Sequence, residues 1–208
     1  MPSPYDQSRY QVRAEWGIDG LARLAPADVV VVVDVLTFAT AVTDAVAHGR
    51  SVTLDDSVVM ESHNGAPIAL RAAESGALVL LGCLRNASAV ADAVLAEQRR
   101  RGGRTSVTIL AAGERDGGAV RVAVEDQLGA GAIVVALGAR GIDHTAPEAA
   151  VVAEAFRGLR GAVRHLLTAS GTGQRLIGHG ERDLVLAAAA VDDVAAVPVL
   201  RDGAFVAL

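Results

Sequence analysis

Lysine is missing from this chain: all 19 basic residues among its 208 are arginine. That absence excludes a Schiff-base lysine and a phosphate-loop lysine alike. Cysteine occurs once, as Cys83, so no intramolecular disulfide and no thiolate-rich zinc site can form. Aromatic residues make up 3% of the chain, which leaves Ala, Val, Leu and Ile to build the core. The longest apolar run, near residues 29–36, is broken by Asp34 and falls far short of the roughly 20 residues that span a bilayer. The opening Met1-Pro2-Ser3-Pro4-Tyr5-Asp6 lacks the charged and apolar regions of a signal peptide. The resulting expectation is a reducing, cytoplasmic setting with no membrane partner. A formal net charge of −5 argues against a nucleic-acid partner, whose footprint is ordinarily basic.

What is present suffices for a large core, with 51% hydrophobic residues against 21% charged, and this excludes disorder as the main state. Five consecutive valines, Val29–Val33, end at Asp34 and read as a strand buried on both faces. Further strands are predicted over 51–54, 78–81 and 106–110. A C-terminal hairpin is predicted from 197–200 and 204–208 around Arg201-Asp202-Gly203. Helices are predicted over 40–47, 69–75, 87–101, 121–137, 149–168 and 183–190. Asn86 is a candidate N-cap for the third of these, and Arg99, Arg100 and Arg101 at its end complement the helix dipole. Strands alternating with helices imply a mostly parallel sheet covered on both faces. The expectation is a single domain over 1–208, with a division into two lobes near 138–147 as the alternative.

Ligands of open α/β sheets bind beyond the carboxyl ends of the strands. Four segments put polar residues there: Asp34, His63-Asn64-Gly65, Arg85-Asn86 and Glu114-Arg115. A carboxylate ending an all-valine strand is costly to bury unless it is paired or metal-bound. Asp34 therefore reads as a Mg²⁺ ligand, or as a nucleophile or base at a phosphoryl group, against the plainer role of a cap for the helix that follows. Glu125 and Asp126 are adjacent and cannot share one helix flank. One of them is expected to face a site with Arg121, the alternative being a solvated Arg121–Glu125 pair. Asn64-Gly65 is a plain turn or a phosphate-cradling loop, and His63 is a solvated residue or a general acid. Ser170-Gly171-Thr172-Gly173 reads equally as an anion-binding nest or a flexible loop. Cys83 reads as a small core residue, with no neighbouring histidine to activate it.

At these same segments the chain resembles the 2-phosphosulfolactate phosphatase (ComB) family. The matching pieces are Val32-Val33-Asp34-Val35-Leu36, Asn64-Gly65, Leu84-Arg85-Asn86 and Ala112-Gly113-Glu114-Arg115. They continue with Glu125-Asp126-Gln127-Leu128-Gly129-Ala130-Gly131, Ser170-Gly171 with Arg175-Leu176, and the Val197-Pro198-Val199-Leu200 ending. The resemblance implies a three-layer α/β/α fold with a mostly parallel or mixed sheet. It also implies Mg²⁺-dependent hydrolysis of 2-phosphosulfolactate to sulfolactate and phosphate, a step toward coenzyme M, and is compatible with a homodimer. On this reading Asp34 and Glu114 are catalytic. Asn64, Gly65, Arg85, Asn86, Arg115 and Arg121 hold the anionic substrate. The metal sits on Asp34 with Glu125 or Asp126. Where the family typically carries Arg directly after Asp-Val-Leu, this chain has Thr37-Phe38. A different small phosphoester, or phospho-ligand binding without turnover, are the alternatives that this departure raises.

Overall fold

The computed structural model describes residues 3–208. Its frame is a seven-stranded sheet whose four parallel strands are β1 (Val12–Trp16), β2 (Val29–Val33), β4 (Leu78–Gly82) and β5 (Val107–Ala111). Antiparallel β3 (Val52–Thr53), β8 (Pro198–Arg201) and β9 (Ala204–Ala207) extend it, in the order β1-β5-β2-β4-β8-β9-β3. The valine strand lies inside the sheet between β5 and β4, and all five of its residues are buried. Both faces are covered, which is why the run is continuous rather than alternating.

The parallel strands finish level with one another: Trp16 pairs with Ala111, Ala111 with Val33, and Val33 with Gly82. Residues just past these positions, Asp34 and Gly113 among them, are therefore delivered to one rim. One face is covered by α5 (Ala87–Arg101), α6 (Val124–Gly138) and α7 (Pro147–Leu159). The other is covered by α1 (Gly17–Arg23), α2 (Phe38–Ala47) and α4 (Gly65–Ala73). The three-layer α/β/α architecture expected from the sequence is thus what is observed. Among the described residues no helix is long and apolar enough to cross a membrane.

Most predicted elements are found, and the differences have local causes. The 87–101 helix matches α5, closed by Gly102 in the left-handed conformation at φ 68°. The C-terminal hairpin turns on Asp202 and Gly203, at φ 48° and 77°, the combination that a two-residue turn demands. The helix predicted from 121 begins only at Val124. Residues before it form a small hairpin of β6 (Glu114–Asp116) and β7 (Ala119–Arg121). The helix predicted over 149–168 is broken by a single 3₁₀ turn at Arg160–Ala162, between α7 and α8 (Val163–Ala169), where Gly158 and Gly161 lower helix propensity. Three helices were not anticipated: α1, the four-residue α3 (Ser57–Met60) and α9 (Gly171–Gly178), which precedes α10 (Arg182–Ala188). Strand β1 was not anticipated either.

The glycines of α6 set its position. A methyl group at Gly129 would lie 2.7 Å from the Val35 side chain, and one at Gly131 only 2.2 Å from the Val152 carbonyl oxygen of α7. Gly131→Ala therefore forces α6 and α7 apart, at a cost of about 2–3 kcal/mol. The expected outcome in thermal unfolding is a Tm lowered by about 4–12 °C.

Candidate functional site

At the carboxyl rim of the parallel strands lies a cavity of about 730 Å³. Asp34, Asn64, Glu114, Arg115, Glu125 and Asp126 all line it, so residues from four separate segments of the sequence meet at one place. Asp34 hangs from the end of β2, and its Oδ2 accepts the backbone N–H of Gly65 at 3.1 Å. No side chain fits at Gly65, because a Cβ there would stand 2.5 Å from that same Oδ2. Asp34 is 8% exposed. Burial pushes its carboxyl up to about 6, and the charge of Glu125 adds to the effect against the lowering by hydrogen bonds from Gly65, Phe38 and Ser62.

Glu125 and Asp126 both enter the cavity wall although they are consecutive. They occupy the first turn of α6, and the end of that helix, rather than one flank, faces the rim. The expectation that only one would face the site is corrected on this point. Their surroundings differ. The Asp126 carboxylate accepts N–H groups from Val35 at 2.7 Å and Gly113 at 2.9 Å, which ties the exits of β2 and β5 to the start of α6. Its carboxyl is held well above the usual range by burial, then by the charges of Asp34 and Glu125. Glu125 is 2% exposed, and its Oε2 is buried without any hydrogen-bond partner among the described residues. An orphaned buried carboxylate oxygen beside another carboxylate is an expensive arrangement. Among the described residues, no group of three or more His, Cys, Asp or Glu side chains is disposed to hold a metal ion. The ligand set Asp34, Glu125 and Asp126 is accordingly not a preformed three-carboxylate cage.

The expected anion contacts divide into two groups. Arg115 lines the cavity and forms no ion pair among the described residues. Arg121 lies on β7 and not on α6, so its pairing with Glu125 is replaced by an ion pair of 2.8 Å with Glu114. The Thr172 hydroxyl donates to the other oxygen of Glu114. Glu114, read as catalytic from the sequence, thereby latches the β6–β7 hairpin to the start of α9. Arg85 and Asn86 are absent from the cavity wall. Arg85 clamps Asp44 of α2 at 2.6 Å and both oxygens of Asp193 at 2.8 and 3.0 Å, and these partners hold its guanidinium above its ordinary pKa. Asn86 is fully buried, accepting from Cys83 N at 2.9 Å and donating to the Leu81 and Ala196 carbonyls. The amides of Gly65 and Ala66 are not free for phosphate: Gly65 N–H serves Asp34, and Ala66 N–H serves the Ser62 hydroxyl at 3.0 Å.

Three cavity residues to which the sequence assigned no site role, Thr172, Arg175 and His179, are contributed by α9 and its C-cap; Thr172 had entered only in the nest-or-loop segment and Arg175 only as a matching piece. Ser170 caps this helix, its Oγ accepting from Gly173 N at 3.0 Å, so the Ser-Gly-Thr-Gly stretch is a helix start and neither a nest nor a flexible loop. The available signal was the capping serine followed five residues later by the i, i+4 pair Arg175 and His179. Arg175 forms no ion pair among the described residues. His63 also lines the wall. Phe38 borders the cavity, but its ring is 2% exposed and packs edge-on against Phe205 at 5.6 Å. Cys83 is buried, and burial raises its thiol, consistent with a core role.

The family model described as 2-phosphosulpholactate phosphatase matches residues 49–203. The matched span holds every cavity residue named above except Asp34 and Phe38, which the fold brings to it from the preceding strand and helix. Three quarters of the sequence and the rim they build lead to one conclusion: this chain belongs to the 2-phosphosulpholactate phosphatase family, a family of phosphoric monoester hydrolases.

Proposed function

We propose that the chain hydrolyses a small phosphomonoester bearing further negative charge, 2-phosphosulfolactate or a near relative, with Mg²⁺ held by Asp34 and Glu125. One observation carries the reading: the buried Glu125 oxygen lies in the same cavity as Asp34, Arg115 and Arg175, and among the described residues that oxygen has no hydrogen-bond partner and neither arginine an ion pair. The donor set suits Mg²⁺, a hard cation that takes oxygen ligands and is usually bound by one or two carboxylates plus substrate phosphate. Two carboxylates that repel each other when empty supply that pair, and no preformed cage is needed. When bound, the ion would neutralise charge on the phosphoryl oxygens and supply an activated water.

The chain's own residues do the rest. Asp126 fixes the first turn of α6 through Val35 and Gly113 and so orients Glu125. Arg115 and Arg175 hold the substrate's oxyanions, for which a planar guanidinium fork is suited. His63 stands on the wall as the proton donor to the departing alkoxide. Asp34 as a covalent nucleophile is the mechanistic variant, and trapping a phosphoenzyme under single-turnover conditions would establish it.

The test is a phosphate-release screen over small phosphoesters, 2-phosphosulfolactate included. Turnover restricted to substrates with a second acid group supports the proposal. Tight binding of such esters without release would mark a binding protein instead. Arg175→Ala is expected to raise KM about tenfold or more while kcat changes little, because a contact to a remote anion stabilises ground and transition states alike.

A further inference from the structure

The opposite rim, where the parallel strands begin, carries a second cavity of about 280 Å³ lined by Arg9, Arg13, Asp28 and Arg104. It lies beside Gln11 and Ser106, which sit directly before the paired Val12 and Val107. Arg13 is 5% exposed and meets no carboxylate within ion-pairing distance among the described residues. Four of its five N–H groups go to main-chain carbonyls, those of Tyr10, Ala25, Pro26 and Ser8, leaving one on Nη2. Burial lowers its pKa, and only the more distant charges of Asp6 and Asp28 oppose that. A buried cation without a contacting counterion is costly.

The acids nearby are already committed. Asp28 receives Arg101 on one oxygen and the Ser106 N–H and hydroxyl, at 2.8 and 2.7 Å, on the other. Asp6 accepts from Ser8 N at 2.9 Å. Arg9 forms no ion pair among the described residues, and the Arg104 guanidinium meets Nδ1 of His144, whose ring leans on that of Tyr10. The cavity wall thus carries three arginines, Arg9, Arg13 and Arg104, against one aspartate, Asp28, whose partner Arg101 also leans on Glu97 at 3.7 Å, a local excess of positive charge in a chain of net charge −5.

We propose that this cavity is a second oxyanion site, remote from the catalytic rim, that takes a tetrahedral anion of the phosphate class. The space exceeds what one such ion fills, so ordered water completes its shell. The inference is independent of the reading given for the catalytic cavity.

Thermal unfolding in inorganic phosphate, against chloride at equal ionic strength, tests it. In the double variant Arg115→Ala, Arg175→Ala, which strips the catalytic cavity of its free arginines, phosphate is expected still to raise Tm, by about 3–6 °C at tenfold its Kd. Adding Arg9→Ala and Arg104→Ala to that double variant is expected to abolish the phosphate-specific rise, and Arg9→Ala, Arg104→Ala alone is expected to retain turnover. Both arginines are exposed, and the readout is a difference within each variant, so a change in absolute stability does not confound it. An undiminished rise in the quadruple variant, loss of the rise in the catalytic double variant, or an equal rise with chloride would each overturn the proposal.

Discussion

Replacing Asp34 by asparagine is expected to lower phosphate release on the order of a thousandfold or more, and at the same time to stabilise the metal-free protein at neutral pH. The second half follows from burial. The Asp34 carboxyl ionises at about 6 in the folded chain against 3.8 when unperturbed. Between those values the folded state keeps a proton that the unfolded state has released. Stability is therefore greatest below the unfolded pKa, falls as pH rises toward 6, and stays low above it. Asparagine keeps an Oδ1 acceptor for the Gly65 N–H and removes the charge, a gain on the order of 2–3 kcal/mol at pH 7.5. Loss of that charge also relieves Asp126, whose ionisation Asp34 opposes. Denaturant melts of chelator-treated protein should show the variant ahead at pH 7.5 and the gap closing toward pH 4. A variant less stable than wild type at pH 7.5 would mean that the carboxylate is solvated rather than buried.

Glu125→Gln carries the second large effect. Its Oε2 has no partner among the described residues, so the amide that replaces it sacrifices no hydrogen bond there and can donate toward the neighbouring carboxylates. The fold should survive, with unchanged far-ultraviolet dichroism. What is lost is half of the proposed pair of charged ligands. The Mg²⁺ concentration for half-maximal turnover is expected to rise at least about a hundredfold. An unchanged metal requirement would assign the orphan oxygen to something other than a cation.

How much of this was legible beforehand depended on whether a residue's role is local. Asp34 could be singled out because five valines precede it, and α5 because its arginines and its closing glycine lie within one segment; Asn86 stands at its N-cap position but turns its side chain to Cys83, Leu81 and Ala196 instead of capping the helix. The Glu125-Asp126-Gln127-Leu128-Gly129-Ala130-Gly131 motif was legible as a signature, but its meaning needed the fold. Two members face the rim, and Gly129 and Gly131 let the helix approach β2 and α7. Arg85 was misassigned because its partners Asp44 and Asp193 lie 41 and 108 residues away. Strand β1 escaped because Val12-Arg13-Ala14-Glu15-Trp16 alternates charge with apolar residues, and it runs at the sheet edge where such a pattern is tolerated. That Gly171–Gly178 forms a helix escaped because a glycine-rich start resembles a loop unless the Ser170 cap is recognised.

The central claim is that two carboxylates at the carboxyl rim act through a divalent cation that they share with the phosphate. Phosphate release from chelator-treated protein, measured on 2-phosphosulfolactate with Mg²⁺ restored stepwise, addresses it most directly. The account predicts no turnover without the ion and saturable recovery with it, a recovery abolished in Asp34→Asn and displaced to high Mg²⁺ in Glu125→Gln. Full turnover by the metal-free enzyme would contradict it.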